Sequence, residues 1–144
     1  MVRIGINGFG RIGRLVLRSV LENFKNKIEV VAINGPGNLD SHIHLLKYDS
    51  THGKLPFEVK KNSNGFSVLN HKINFLSERE PKNIPWDKFK TDIVLECTGK
   101  FKSKKQAQAH TPRRLIHFDW LLQIWLHDQE ILNEISEENG DQIA

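Results

Sequence analysis

Cysteine is almost missing from this chain: Cys97 is the single thiol in 144 residues, which excludes an internal disulfide and fits a reducing compartment. No apolar run reaches the length needed to cross a bilayer. The start offers Arg3 but no apolar stretch of signal-peptide type, so the expectation is a cytoplasmic protein without a membrane partner. The seven histidines and one cysteine fall in no metal-ligand spacing, so no metal is expected. His42 and His44, two positions apart, do not share a helical face. All seven histidines read as polar surface or loop residues. With 26% charged and 38% hydrophobic residues, the composition is that of a soluble globular chain long enough for one ordinary domain.

The overall charge of +4 conceals a division along the chain. Residues 1–110 hold 19 Lys and Arg against 10 Asp and Glu, a balance of +9, whereas residues 111–144 hold 2 against 7, a balance of −5. The lysines of the first part are scattered, and aromatic residues do not interleave with them as they do in a nucleic-acid stacking platform. No nucleic-acid partner is expected.

What is present is Asn7-Gly8-Phe9-Gly10-Arg11-Ile12-Gly13-Arg14. Val2, Ile4 and Ile6 lead into it as a β-type run, and Ile12, Leu15, Val16, Ser19, Val20 and Phe24 follow at helical spacing. Strand, tight turn and helix form the context that a G-x-G-x-x-G fingerprint requires. In that context Gly8 allows the turn, Gly10 lets the backbone approach a pyrophosphate, and Gly13 lets the helix lie close on the strand. Arg11 and Arg14 oppose the macrodipole in a first helical turn. They are either partners of a bound anion or solvated surface residues.

A second apolar run from Ile28 to Ile33 completes a βαβ unit with a buried parallel strand. The loop Asn34-Gly35-Pro36-Gly37-Asn38 follows, with Asp40 or Ser41 expected to cap a helix from His42 to Tyr48. Gly35 stands where dinucleotide-binding folds often place a ribose-binding carboxylate. That leaves NAD and NADP both open, although no arginine of the loop stands ready for a 2′-phosphate. Phe57 to Lys60 and Phe66 to Leu69 alternate in polarity around Asn62-Ser63-Asn64-Gly65, a hairpin pattern in which Asn-Gly supplies positive φ. Ile73 to Leu76 adds a third strand to this antiparallel insertion. A further strand, Asp92 to Glu96, ends in Cys97-Thr98-Gly99, expected to face the same ligand crevice. The fold class implied is α/β, a Rossmann-type doubly wound parallel sheet with a small antiparallel insertion.

Four ordered segments are more specific: I-G-I-N-G-F-G-R-I-G-R from Ile4, H-L-L-K-Y-D-S-T-H-G from His44, N-I-P-W from Asn83, and E-C-T-G-K-F from Glu96. On these the chain resembles the N-terminal, cofactor-binding part of glyceraldehyde-3-phosphate dehydrogenases from Val2 to about His110. The resemblance implies NAD or NADP as cofactor. It places Asn7, Gly8, Phe9, Gly10, Arg11, Ile12 and Gly13 around the pyrophosphate and adenosine side, with Asn34 and Gly35 at the adenine ribose. The Arg79 backbone falls near the adenine. Cys97, Thr98 and Gly99 line the wall toward the nicotinamide ribose, with Phe101 nearby. Gly35 departs from the aspartate of NAD-specific members. The family nucleophile belongs to a Ser-Cys-Thr-Thr-Asn motif, so Cys97 is implied to be a cofactor-wall residue, and no catalytic residue is assigned.

The resemblance fails after a helix over residues 103–110, where the family continues through a glycine-containing turn into another apolar strand. Leu121, Leu122, Trp125, Ile131, Leu132 and Ile135 instead suit one side of a C-terminal helix capped by Asp119. The expectation is an NAD(P)-binding domain over residues 1–110 and a divergent acidic helical tail over 111–144, covering apolar surface without forming a domain. A truncated oxidoreductase part of glycolytic descent, inactive alone, is the function implied. The alternative is a degenerate, non-enzymatic product or an interaction module using the tail. Neither a homo-oligomer nor a complementing catalytic chain finds support in the sequence.

Overall fold

A computed structural model describes residues 1–99, 114–117, 132, 133 and 136. Strand β1 (Val2–Asn7), helix α1 (Arg11–Ser19) and strand β2 (Ile28–Asn34) form the βαβ unit. The two strands are parallel from the pair Val2/Ile28 to Asn7/Asn34, with a register shift between Ile4 and Gly5. Next come α2 (Leu39–Lys47), β3 (Tyr48–Asp49), β4 (Gly53–Lys54), β5 (Val59–Asn62), β6 (Gly65–Val68) and β7 (His71–Leu76). Two 3₁₀ turns, Pro81–Asn83 and Trp86–Phe89, precede β8 (Ile93–Glu96) and β9 (Arg114–His117).

Among the described residues the main sheet has seven strands in the order β5-β6-β7-β2-β1-β8-β9, while β3 and β4 pair separately. Strands β7, β2, β1, β8 and β9 are parallel in adjacent pairs. Counted among themselves these five run 3-2-1-4-5, so chain progression reverses between β1 and β8. A doubly wound sheet opens its ligand crevice at that reversal, outside the carboxyl ends of the strands.

Alternate strand residues divide the core between the two faces of the sheet. Ile93 and Leu95 of β8 join a large cluster with Val16, Leu17, Val20 and Leu21 of the first helical segment, Ile43 and Leu46 of α2, and Phe66. Val94 packs on the other face with Val31, Ala32, Ile84 and Trp86. A Cβ added to Gly5 would lie 2.5 Å from Trp86 Cζ3, so the indole needs a glycine beneath it. Arg18, 4% exposed, ties the α1 helix to the next segments: its guanidinium donates to the Leu46 carbonyl (Nη2 at 2.6 Å) and to the Gly53 carbonyl at 2.9 Å. Among the described residues no helix is long and apolar enough to cross a membrane.

Several local expectations are corrected. Asn38, not Asp40 or Ser41, caps α2, its Oδ1 accepting from the Asp40 N–H at 2.7 Å. The Asp40 carboxylate is taken by Lys61 at 2.9 Å. Helical periodicity continues past Ser19, but Val20–Phe24 is a π turn. The small antiparallel insertion is present as expected and is continuous with the main sheet, since β7 pairs antiparallel with β6 and parallel with β2. Neither Asn64 nor Gly65 takes positive φ; it falls instead at Leu69, φ 51°, in the following turn between β6 and β7. Gly65 is required for another reason, because a Cβ there would overlap the Ile73 carbonyl oxygen.

Beyond residue 110 the sequence departs from the family pattern, yet β9 pairs in parallel with β8 from Ile93/Arg114 to Glu96/His117. Leu132 is helical and fully buried in the main apolar cluster. The cap at Asp119 and the residues Leu121, Leu122, Trp125, Ile131 and Ile135 of the expected helix lie outside the described residues.

His71 corrects the reading of every histidine as surface or loop. It is 2% exposed, and its Nδ1 accepts the Val30 N–H at 3.3 Å. Burial holds its pKa below the ordinary value, against opposing contributions from Glu29 and a hydrogen bond to the Lys25 backbone. A histidine kept neutral in the folded state stabilises above its unfolded pKa, about 6.5. That stabilisation is lost as pH falls toward the lower folded value, because only the unfolded chain takes up the proton readily. The unfolding midpoint is therefore expected to drop between about pH 7 and 5. His71→Gln, which keeps an acceptor but cannot titrate, is expected to flatten that slope in a thermal melt series. An unchanged slope would assign the acid sensitivity to other groups.

Candidate cofactor cleft

Strand β1 delivers its last residue, Asn7, to the crevice, and the chain must turn at once to start α1. Gly8 makes the turn at φ +98°, and a Cβ on it would stand 2.7 Å from the Thr98 backbone nitrogen. Left-handed backbone and close approach both demand glycine there. Gly13 is closed from below, since a Cβ on it would overlap the Gly8 carbonyl oxygen. Gly10 differs from both: nothing lies within 4 Å of where its Cβ would be. The loop is thus packed tight on the protein side and bare on its outer side.

Gly10 is the N-cap of α1, with no side-chain cap bond and no acidic residue in the first turn. The first intrahelical bond runs from Arg14 N–H to the Gly10 carbonyl at 3.0 Å. The preceding N–H groups have no intrahelical acceptor, and with the dipole's positive end they suit an anion. The side chains of Arg11 and Arg14 are not simply solvated. Arg11 donates to Thr51 Oγ1 at 3.0 Å and stands 3.7 Å from Asp49. Hydrogen bonds from the His52 backbone and then Thr51, aided by Arg11, hold the Asp49 carboxyl below its usual range despite desolvation. Arg14 reaches the Phe9 carbonyl at 3.4 Å, and burial lowers its pKa. Asp49 therefore supplies part of the negative charge that faces these two arginines.

One cleft is lined by Asn7, Gly8, Asn34, Gly35, Arg79 and Thr98 of the expected residues, together with Pro36, Gly37, Ser77, Glu78, Pro81 and Ile84. These come from the ends of β1, β2, β7 and β8, elements brought together only by the sheet. Side chains that hold the walls are buried: Asn7 is 3%, Asn34 5% and Glu96 1% exposed. Asn34 Nδ2 donates to Asn7 Oδ1 and to the Glu78 carbonyl, both at 2.9 Å, while its Oδ1 accepts the Glu78 N–H at 2.8 Å. Asn7 Nδ2 donates to Glu96 Oε2 at 2.9 Å.

Other expected residues take different places. Phe9 is 1% exposed in the core, its ring 5.7 Å from that of His42 and 6.4 Å from that of Phe66, so only its backbone belongs to the loop. Ile12 is half-buried against the main cluster. Cys97 is buried, and its backbone N–H donates to the Asn7 carbonyl at 2.7 Å. Gly99 takes φ +71° just beyond Thr98, and Phe101 lies outside the described residues. Asp40, paired with Lys61, does not line the cleft.

Sequence reasoning missed His42 and Glu96. His42 sits between the rings of Phe9 and Phe75 and fastens the glycine-proline loop through Nε2 and the Pro36 carbonyl at 2.6 Å. Glu96 had a legible signal, a carboxylate closing an otherwise apolar buried strand, because such residues are seldom buried unless paired. Ser77 and Glu78 had none, since their place depends on where β7 joins the sheet.

Residues 2–104 match the family described as glyceraldehyde 3-phosphate dehydrogenase, NAD binding domain. The chain belongs to that family. A chromosomal glyceraldehyde-3-phosphate dehydrogenase of Cupriavidus necator is 46% identical over 110 residues, covering 76% of this chain and 33% of the relative. Glyceraldehyde-3-phosphate dehydrogenase 1 of Kluyveromyces lactis is 47% identical over 111 residues, with 76% and 33% covered. Glyceraldehyde-3-phosphate dehydrogenase of Geobacillus stearothermophilus is 47% identical over 109 residues, with 76% and 32% covered. The chain thus spans about a third of the length of these relatives and corresponds to the family's NAD-binding domain. The cradle fits a dinucleotide: it is closed wherever a side chain would meet protein and open at Gly10, where a pyrophosphate would lie.

Proposed function

We propose that this chain binds NAD in the crevice between β1 and β8 and that it does not oxidise an aldehyde by itself. The contrast between closed Gly8 and Gly13 and open Gly10 carries this reading. In it the N–H groups that start α1 hold the pyrophosphate. Residues 34–37 and 77–79 receive the adenosine end, with Arg79 at the adenine. Cys97, Thr98, Gly99 and Phe101 form the wall toward the nicotinamide ribose. A bound nicotinamide supplies a hydride acceptor, but these 144 residues contain no Ser-Cys-Thr-Thr-Asn segment to hold a substrate as a thiohemiacetal. The burial of Cys97 just past the end of β8 supports reading it as a wall residue and not as a nucleophile. Gly35 presents no carboxylate to repel a 2′-phosphate, which supports NADP as a second ligand. We assign residues 111–144 to covering this domain rather than to capturing a partner, a reading supported by Leu132 in the core.

The test is thermal unfolding with millimolar NAD or NADP. A ligand at a hundred times its Kd adds about 2.7 kcal/mol to stability, so a midpoint rising with NAD concentration is expected. A midpoint unmoved by either dinucleotide would sink the binding reading. Triose-phosphate oxidation by the purified chain that survives Cys97→Ser would sink the non-catalytic one.

A further inference from the structure

Glu96 closes a chain of side-chain hydrogen bonds that crosses the carboxyl ends of β8, β1 and β2 and reaches the segment after β7. Every contact it receives from Asn7 and Thr98 comes from a donor: Asn7 Nδ2 at 2.9 Å, the Thr98 N–H at 3.0 Å, and the Thr98 hydroxyl. An ionised carboxylate only accepts, whereas an amide presents a donor at one end and an acceptor at the other. Once Glu96 accepts from Asn7 Nδ2, the Asn7 carbonyl oxygen must face Asn34. It meets Asn34 Nδ2 there. The Asn34 oxygen is then directed at the Glu78 N–H, which it accepts at 2.8 Å. The Glu78 peptide, whose carbonyl also accepts from Asn34 Nδ2 at 2.9 Å, sets the same direction from the other end, so the chain of bonds is consistent only while the Glu96 end accepts.

We propose that Glu96 is the positioning residue of the cleft, holding the Asn7 amide in the one orientation compatible with Asn34 as the Glu78 peptide sets it, and thereby the spacing of the wall segments at Thr98 and Glu78. Its carboxylate acts through Asn7 and Thr98 without touching the ligand. Glu96→Gln puts an amide nitrogen against either Asn7 Nδ2 or the Thr98 donors. If Asn7 turns over to accept it, Asn7 and Asn34 meet donor to donor; if Asn34 turns too, its nitrogen meets the Glu78 N–H. No rotation of the three amides removes the conflict. Adding Asn7→Asp to Glu96→Gln does remove it, because the new carboxylate at position 7 accepts from both sides and the net charge is that of the starting protein. Glu96→Gln is near-isosteric, so loss of packing does not account for its effect.

The experiment measures the melting midpoint, NAD titration and hydrogen exchange of the side-chain NH₂ groups of Asn7 and Asn34 by NMR. The binding arm rests on the NAD reading above, whereas the exchange arm does not. In the starting protein both NH₂ groups are expected to exchange slowly. In Glu96→Gln exchange at Asn34 is expected to speed up and NAD affinity to fall about tenfold, the scale of one buried donor left without an acceptor. The pair Glu96→Gln with Asn7→Asp is expected to regain the melting midpoint and the slow exchange at Asn34. Unchanged exchange and affinity in Glu96→Gln would overturn the assignment, and so would a double variant no more stable than the single one. If Glu96→Gln does not fold, a folded double variant supports the assignment and an unfolded one overturns it. Exchange that responds as expected in a protein that binds no NAD would uphold Glu96 and overturn the cofactor reading instead.

Discussion

Gly13→Ala is expected to lower stability by about 1–3 kcal/mol or more, as overpacking against fixed neighbours does, and to abolish measurable NAD binding. The new methyl would overlap the Gly8 carbonyl. That atom is backbone, in a residue held at φ +98°, so it has no rotamer through which to yield. Helix α1 must move off β1, which disrupts the N–H cradle and the packing of Val16 and Leu17 together. A melting midpoint lower by roughly 3–10 °C is the expected reading for a chain of this size. Gly10→Ala is the paired control. Its Cβ meets nothing within 4 Å and its φ of −80° suits alanine, so the loss of stability is expected to be confined to the poorer N-cap, about 0.5–1 kcal/mol. NAD binding is nevertheless expected to weaken, because the methyl occupies the bare face. If Gly10→Ala bound NAD as the starting protein does, the pyrophosphate would have to lie elsewhere.

Leu132→Ala is expected to destabilise by about 2–5 kcal/mol, the ordinary cost of a buried leucine truncated to alanine. Leu132 is 0% exposed and belongs to the same cluster as Ile4, Leu17 and Ile93. A surface segment or a free interaction module would show almost nothing on this substitution. Chemical unfolding of the variant distinguishes the two, since a midpoint shifted at constant slope reports a change in stability. An unchanged midpoint would detach the tail from the domain.

The first βαβ unit was legible because its signals are local. Val2–Asn7 and Ile28–Asn34 are short, nearly continuous apolar runs, and the three glycines stand at offsets that one turn geometry demands. The cap of α2 was less so. Asn38, Asp40 and Ser41 are all competent N-cap residues, and Lys61, far along the chain, takes the Asp40 carboxylate. Gly65 shows the same limit, since Asn-Gly signals a turn locally while the atom that forbids a side chain is the Ile73 carbonyl of the neighbouring strand. The strand at Arg114–His117 was overlooked because its residues match no family segment. Backbone pairing with β8 requires an extended chain beside it and not a particular sequence.

Residue identity by itself determined that a strand, a glycine turn and a helix begin this chain, that four segments follow a dehydrogenase pattern, and that the pattern ends near residue 110. Spacing and side-chain chemistry act within a few residues, so a single sequence carries them in full. Tertiary structure alone decided which glycine of the cradle is open, which histidine is buried as an acceptor, and what the carboxylate of Glu96 is for. Each of those depends on atoms from distant stretches: Asn7 and Glu96 are 89 positions apart, Asn34 and Glu78 are 44 apart, and only the parallel stacking of β2, β1 and β8 brings them into one line of hydrogen bonds.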